Sequence, residues 1–426
     1  MKIAFHPEVV SQSRYRCNQC ARGCRTFLVP LRKGEREAIE PLEDWRQTLD
    51  VKELFVRHKA AGDQGVGLAK HPDGRCVFLG SDNLCEIHRR HGYQAKPFAC
   101  RLYPFVLTPV AGKMRVGLRF DCPAVAQNEG QALTDYHKGL KSLAGELMAA
   151  AGAQVISAVP ELTRGVQISP DRFETINESL MKMVTSDVLP LPQRLHWMRM
   201  FLETLSRIKW QDVPDEDFEN MITILNGELL AQTENQPLNR QKPAPRARKL
   251  LGQIFFMLCQ PSTVVTTSHE RFAVKMKKRL KDARAARHLS RITGQLPKIH
   301  ADWPHCDLAQ LEESFGPWPE DVQQMISRYL TCRIGGVGYC GPNFYHYSLV
   351  EGARSLLLAV VTIGWMMRIE AVKAGRKNLT LSDAHAAVMT IDSHLGYSTA
   401  LNVGPARMRL QFLGEHLEDM INWYCT

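Results

Sequence analysis

The stretch Tyr15-Arg16-Cys17-Asn18-Gln19-Cys20-Ala21-Arg22-Gly23-Cys24 sets three cysteines at CxxCxxxC spacing. A two-residue gap lets neighbouring thiolates reach one ion from a tight loop, so this spacing recurs at zinc and iron-sulfur sites. Gly23 is expected to help the chain turn. Working outward, Cys76 and Cys85 flank Gly80-Ser81-Asp82-Asn83, a segment suited to a hairpin turn. Cys100 stands in Phe98-Ala99-Cys100-Arg101-Leu102-Tyr103-Pro104-Phe105, and Cys122 follows Asp121. Seven of the 12 cysteines thus fall before residue 123, where the chain is broken by Gly, Pro and Asp.

The first ten residues carry one lysine and no apolar signal-type run, which leads us to expect a reducing cytoplasm. Disulfides are a poor use of thiols there, and seven in a loop-rich segment point to a soft or borderline metal. The expected ligands are Cys17, Cys20, Cys24, Cys76, Cys85, Cys100 and Cys122. Tetrahedral sulfur ligation serves zinc and iron-sulfur clusters such as 4Fe-4S equally, and seven thiols exceed one closed four-ligand site.

A boundary is expected near residue 130. Residues 1–130 read as a small irregular metal domain with short strands at 26–31, 76–79, 85–88 and 114–120. Residues 131–426 read as mainly helical. Leu195, Met198, Leu202, Leu205 and Ile208 share one helical face after Pro190 and Pro192. A basic, Pro-containing linker or loop is expected at 236–248. Helices are expected at 348–373, apolar on nearly every side, at 382–394 with Ser382 as cap, and from Pro405 to the end. The longest uncharged apolar run, 355–367, is shorter than the roughly 20 residues a membrane helix needs, so it reads as a buried core helix.

The order Cys17-x-x-Cys20-Ala-Arg-Gly23-Cys24, Cys76-Val-Phe-Leu79, Leu84-Cys85-Glu-Ile87 and Pro97-Phe-Ala-Cys100-Arg101-Leu-Tyr103-Pro-Phe105 resembles the bacterial YkgJ-type cysteine cluster family. That resemblance implies a zinc- or iron-chelating domain over residues 10–125. Gly23 stands where the family has the first cysteine of a CC pair, so Cys17, Cys20 and Cys24 must be completed by Cys76, Cys85 or Cys100. The overall layout is similar to that of flagellin lysine N-methylase, which joins an N-terminal cysteine cluster to a helical region. This implies an enzyme transferring methyl from S-adenosylmethionine to a protein lysine, with an iron-sulfur cluster and a protein substrate. The alternative is a non-catalytic zinc-binding interaction or scaffold protein.

Other features carry less chemistry. The formal charge of +10 is local, because residues 240–298 hold 15 Lys/Arg against Glu270 and Asp282, leaving the remainder at −3. That strip suits something acidic, but aromatic residues for stacking on nucleic acid are almost absent from its densest part, 275–291. Gly336-Val-Gly338-Tyr-Cys-Gly341 fits GxGxxG, yet it follows a helix and precedes Pro342, the setting of a helix-to-helix connection. His88 and His91 are candidate ligands or sulfur partners, and Arg101 and Tyr103 candidate neighbours of a thiolate cluster. Cys332 and Cys340 read as free buried thiols, and the isolated Cys259, Cys306 and Cys425 are given no role.

Overall fold

The computed structural model describes residues 4–5, 13–57, 65–151, 158–235, 237–260, 272–398 and 400–426. It is mainly helical, with short strands concentrated before residue 133.

The cysteine-rich part contains β1 (Ala4–Phe5), β2 (Arg14–Tyr15), β3 (Phe55–Arg57), β4 (Val66–Leu68), β5 (Phe105–Val110), β6 (Lys113–Leu118) and β7 (Gln131–Ala132). Short helices lie between them: α1 (Arg22–Thr26), α2 (Glu35–Ile39), α3 (Trp45–Thr48), α4 (Glu86–His91), α5 (Phe98–Leu102) and α6 (Pro123–Ala126). β5 and β6 form an antiparallel hairpin in register Phe105↔Leu118, and β1 adds to β6 in parallel. Ala111 and Gly112 both take positive φ, 50° and 75°, as the two central residues of a tight hairpin turn do. The expected strand at 114–120 is β6. Residues 26–31 and 76–79 pair only through isolated bridges, and 85–88 opens α4 instead, with Cys85 as its N-cap. The turn at 80–83 does form, closed by Gly80 N–H donating to Leu84 O at 2.8 Å.

The remainder comprises α7 (His137–Ala151), α8 (Pro170–Thr185), α9 (Leu191–Leu205), α10 (Asp215–Asn235), α11 (Pro245–Cys259), α12 (Phe272–Arg291), α13 (Leu308–Leu311), α14 (Glu320–Gly335), α15 (Leu349–Lys373), α16 (Leu381–Asp392), α17 (Gly404–Gly414) and α18 (Leu417–Tyr424). α9 buries Leu195, Met198, Leu202 and Leu205, while Ile208 lies beyond its end. The irregular segment expected at 236–248 stops at Ala244, because Pro245 occupies the first turn of α11, where its missing N–H costs nothing. α15 is capped by a reciprocal Ser348–Glu351 box. It is long and apolar enough to cross a membrane, yet its most apolar window is 89% buried within the fold. α16 is capped by Thr380 with Asp383, not by Ser382. The expected last helix is two, α17 and α18, and Met408 on the first of them is 70% exposed.

Two apolar clusters result. The smaller runs from Leu31 to Ile87 and includes Trp45, Leu54, Cys76, Phe78 and Leu79. The larger joins Tyr15 and the hairpin residues Phe105, Val116 and Phe120 to the helices, so β6 packs directly on α14. There glycine meets glycine: a Cβ on Gly336 would lie 2.6 Å from Gly117 Cα. The GxGxxG segment therefore serves close backbone packing, consistent with a plain helix-to-helix connection.

Candidate metal centre

The CxxCxxxC loop turns at Gln19 and Ala21, whose φ values are 56° and 55°. Gly23 sits inside α1 instead, so it is not the residue that makes the turn. Cys17 and Cys20 are exposed and Cys24 is half-buried. Cys76 is pinned beside Cys24, because its N–H donates to Cys24 O at 2.8 Å. The bridge Leu79↔Cys85 then folds Cys85 back, and α5 brings Cys100 up after Pro97.

Cys24, Cys76, Cys85 and Cys100 act electrostatically on one another. Burial, and then Cys24, pushes the Cys76 thiol up to about 12, with Cys85 adding to it and Lys70 opposing. Cys100 is raised well above the ordinary thiol range by burial and by Cys76, Cys24 and Cys85, against Lys96. Cys24 is raised by burial and Cys85, against Lys96 and Lys70. Cys24, Cys76 and Cys100 are thus desolvated, Cys85 acts on all three, and two ammonium groups flank them. Such a neighbourhood is costly for free thiolates and favourable for thiolates neutralised by a cation.

Cys17, Cys20 and Cys122 gather elsewhere, around two tyrosines. Cys17 and Cys122 act on Tyr15, and Cys122 and Cys20 act on Tyr103. Burial raises the Cys122 thiol to about 11, against the opposing effect of the backbone N–H groups at the start of α6. The two groups adjoin, since Cys17 also acts on Cys24. Of the seven thiols, Cys24, Cys76, Cys85 and Cys100 thus act on one another and Cys17, Cys20 and Cys122 act on the two tyrosines, the two sets meeting through Cys17 and Cys24.

The second group is held from the helical side. Asp392 of α16 accepts from Phe120 N–H at 2.7 Å and from Arg333 Nε at 3.0 Å. Arg333 and Asp392 form a buried ion pair. Arg119 bonds Asp121 Oδ2 at 2.7 Å and lies between the rings of Phe27 and Tyr397, 4.1 and 4.0 Å from their centroids. Tyr103 Oη donates to Asp121 Oδ1 at 3.3 Å. Arg328 donates to Val125 O at 2.7 Å, tying α14 to α6 just after Cys122.

The remaining candidates lie apart. His91 pairs with Glu43 at 3.2 Å and packs on Trp45, while His88 packs on Tyr93. Arg101 makes two bonds to Glu146, 2.8 and 2.7 Å. Cys332 meets Ser13 Oγ at 2.9 Å, and Cys259, Cys306, Cys340 and Cys425 are buried among the helices. Among the described residues, no three His, Cys, Asp or Glu side chains already stand as a closed ion-binding set. The donor chemistry fits a thiophilic metal.

Residues 16–131 match the family model described as "CxxCxxCC: Putative zinc- or iron-chelating domain". This segment is similar to that family. All seven grouped thiols lie within it. No curated protein and no solved structure matches the chain. The resemblance to flagellin lysine N-methylase has no support from these comparisons.

Lys70, Lys96, the Arg119–Asp121 pair and the Arg333–Asp392 pair escaped the sequence reading. Lys96 stands next to the Pro97 motif and offered a weak signal. Asp392 offered none, because only the tertiary fold brings it to residue 120.

Proposed function

We propose that Cys24, Cys76, Cys85 and Cys100 bind one zinc or iron centre whose first task is to tie three loops together. The observation that carries this reading is the convergence of those thiols, with Cys76 N–H on Cys24 O, Cys85 folded back onto Leu79, and Cys85 acting on Cys24, Cys76 and Cys100 beside Lys70 and Lys96. A bound metal supplies the cross-link that the small Leu31–Ile87 cluster lacks in apolar mass. Cys76 and Cys85 hold the two ends of the 80–83 turn, Cys24 anchors α1, and Cys100 anchors α5. Lys70 and Lys96 offset the negative charge of a thiolate-rich centre. Anaerobic purification with elemental analysis, visible absorption and acid-labile sulfide tests this. Zinc or iron at one centre or more per chain is expected, and metal-free folded protein would overturn it.

A second reading, methyl transfer from S-adenosylmethionine to protein lysine, rests on the layout of a cysteine cluster before a helical region, and the solvent exposure of Cys17 and Cys20 leaves those thiols open to a reactant. These lie in the three-thiol group beside the helical region. A reactive centre needs such access, and a purely structural one does not. Incubation with methyl-labelled S-adenosylmethionine and a lysine-rich protein tests it. Label on the protein would establish transfer, and none under conditions that preserve the metal would remove the reading.

A further inference from the structure

Two helices far from the thiols leave matching faces without a partner. On α10, Asp217, Met221, Ile224 and Glu228 recur at helical spacing and are all exposed, Met221 by 37% and Ile224 by 57%. On α12, Met276, Leu280, Ala283 and Arg287 recur at the same intervals and are all exposed, Met276 by 41% and Leu280 by 54%. Residues at i, i+4, i+7 and i+11 lie along one side of a helix, so each helix presents an apolar seam one or two turns long.

The charges beside the seams are opposite. α10 carries Asp215, Glu216, Asp217, Glu219, Glu228 and Glu234, and no Lys or Arg. α12 exposes Lys277, Arg279, Lys281, Arg284, Arg287 and Arg291 against Asp282. Among the described residues, Asp217, Glu228, Arg284 and Arg287 make no ion pair within the chain. An exposed apolar pair ringed by one sign of charge is the form of half of a helix–helix contact, the other half bearing the opposite sign.

We propose that these two faces dock a second copy of the chain, α10 of each copy lying along α12 of the other. The reciprocal arrangement uses both faces twice and closes without leaving an open edge. Apolar side chains at 3–4 spacing supply the contact, and the flanking charges set its partner and orientation. The inference is independent of the metal centre.

The full-length chain, purified with its metal, is examined by sedimentation velocity at about 0.05 M and about 0.5 M salt, the latter screening charges beyond a few ångströms. A dimer at low salt and a shift toward monomer at high salt are expected. Two variants then test the pairing, D217K with E228K on α10 and R284E with R287E on α12. Each pair changes exposed side chains only, and circular dichroism checks the fold. Each variant alone is expected to be monomeric, and an equimolar mixture to re-form a dimer, because both contacts in the mixed pair again join opposite charges. A wild-type monomer at low salt, a dimer surviving in either variant, or no recovery on mixing would overturn the proposal. So would loss of association through the α12 variant alone accompanied by binding to duplex DNA or anionic vesicles, which assigns the basic helix to another partner.

Discussion

The carboxylate of Asp392, in the last turn of α16, accepts the backbone N–H of Phe120 at 2.7 Å, two residues before Cys122. The same carboxylate neutralises Arg333, and both side chains are almost wholly inaccessible to solvent. A charge on the helical region thus fixes the loop that presents a thiol.

Removing Asp392 leaves Arg333 buried without its counter-charge. Asp392→Ala is expected to destabilise the fold by about 3–5 kcal/mol, whereas breaking the exposed Lys377–Glu313 pair costs about 0–1 kcal/mol. Chemical denaturation of both variants measures the difference, and equal effects would contradict this placing of the ion pair.

The four-and-three division of thiols predicts unequal losses. Cys76→Ser and Cys100→Ser are expected to remove the metal held by the four-thiol group and to lower stability with it. Cys259→Ser and Cys332→Ser, at thiols apart from both groups, should leave metal content unchanged. Elemental analysis of the four variants decides, and metal loss from Cys332→Ser would break the grouping.

Gly23 offers the converse test. A Cβ added there would lie 3.4 Å from the ring of Tyr103, an ordinary contact. Tyr103 in turn feels Cys20 and Cys122. Gly23→Cys is therefore expected to place a fourth thiol by Cys17, Cys20 and Cys122 and to raise bound metal per chain. Unchanged metal content with an intact fold would contradict that direction.

Stability should fall on mild acidification. Burial lowers the pKa of His196, whose Nε2 meets Asn422 Oδ1 at 2.8 Å, and burial likewise lowers His385 and His394. The folded state keeps these rings neutral, whereas the unfolded chain takes up protons as pH drops through about 6.5. Their contribution is intact above that pH and is lost below it. Thermal midpoints from pH 8 to 5 should decline, and His196→Gln should flatten the decline; a midpoint rising on acidification would contradict the sign.

Much of this was legible in the residues. CxxCxxxC spacing and the Cys100 motif marked the metal domain, and continuous apolarity marked α15 as a core helix. Local pattern misled where tertiary contacts took over. Residues 85–88 are β-compatible, yet Cys85 caps a helix, and the apolar spacing after Pro405 spans a break between α17 and α18. The split of the thiols was invisible, since Cys122 joins Cys17 and Cys20 only because β6, α14 and α16 pack together. Lys70 and Lys96 carry no mark in sequence that separates them from surface lysines.

X-ray absorption at the metal edge of the anaerobically purified chain addresses the metal centre most directly. We predict a first shell dominated by sulfur, at about 2.3 Å if the metal is zinc, that collapses in Cys76→Ser and Cys100→Ser. A shell of nitrogen and oxygen unaffected by either substitution would contradict it.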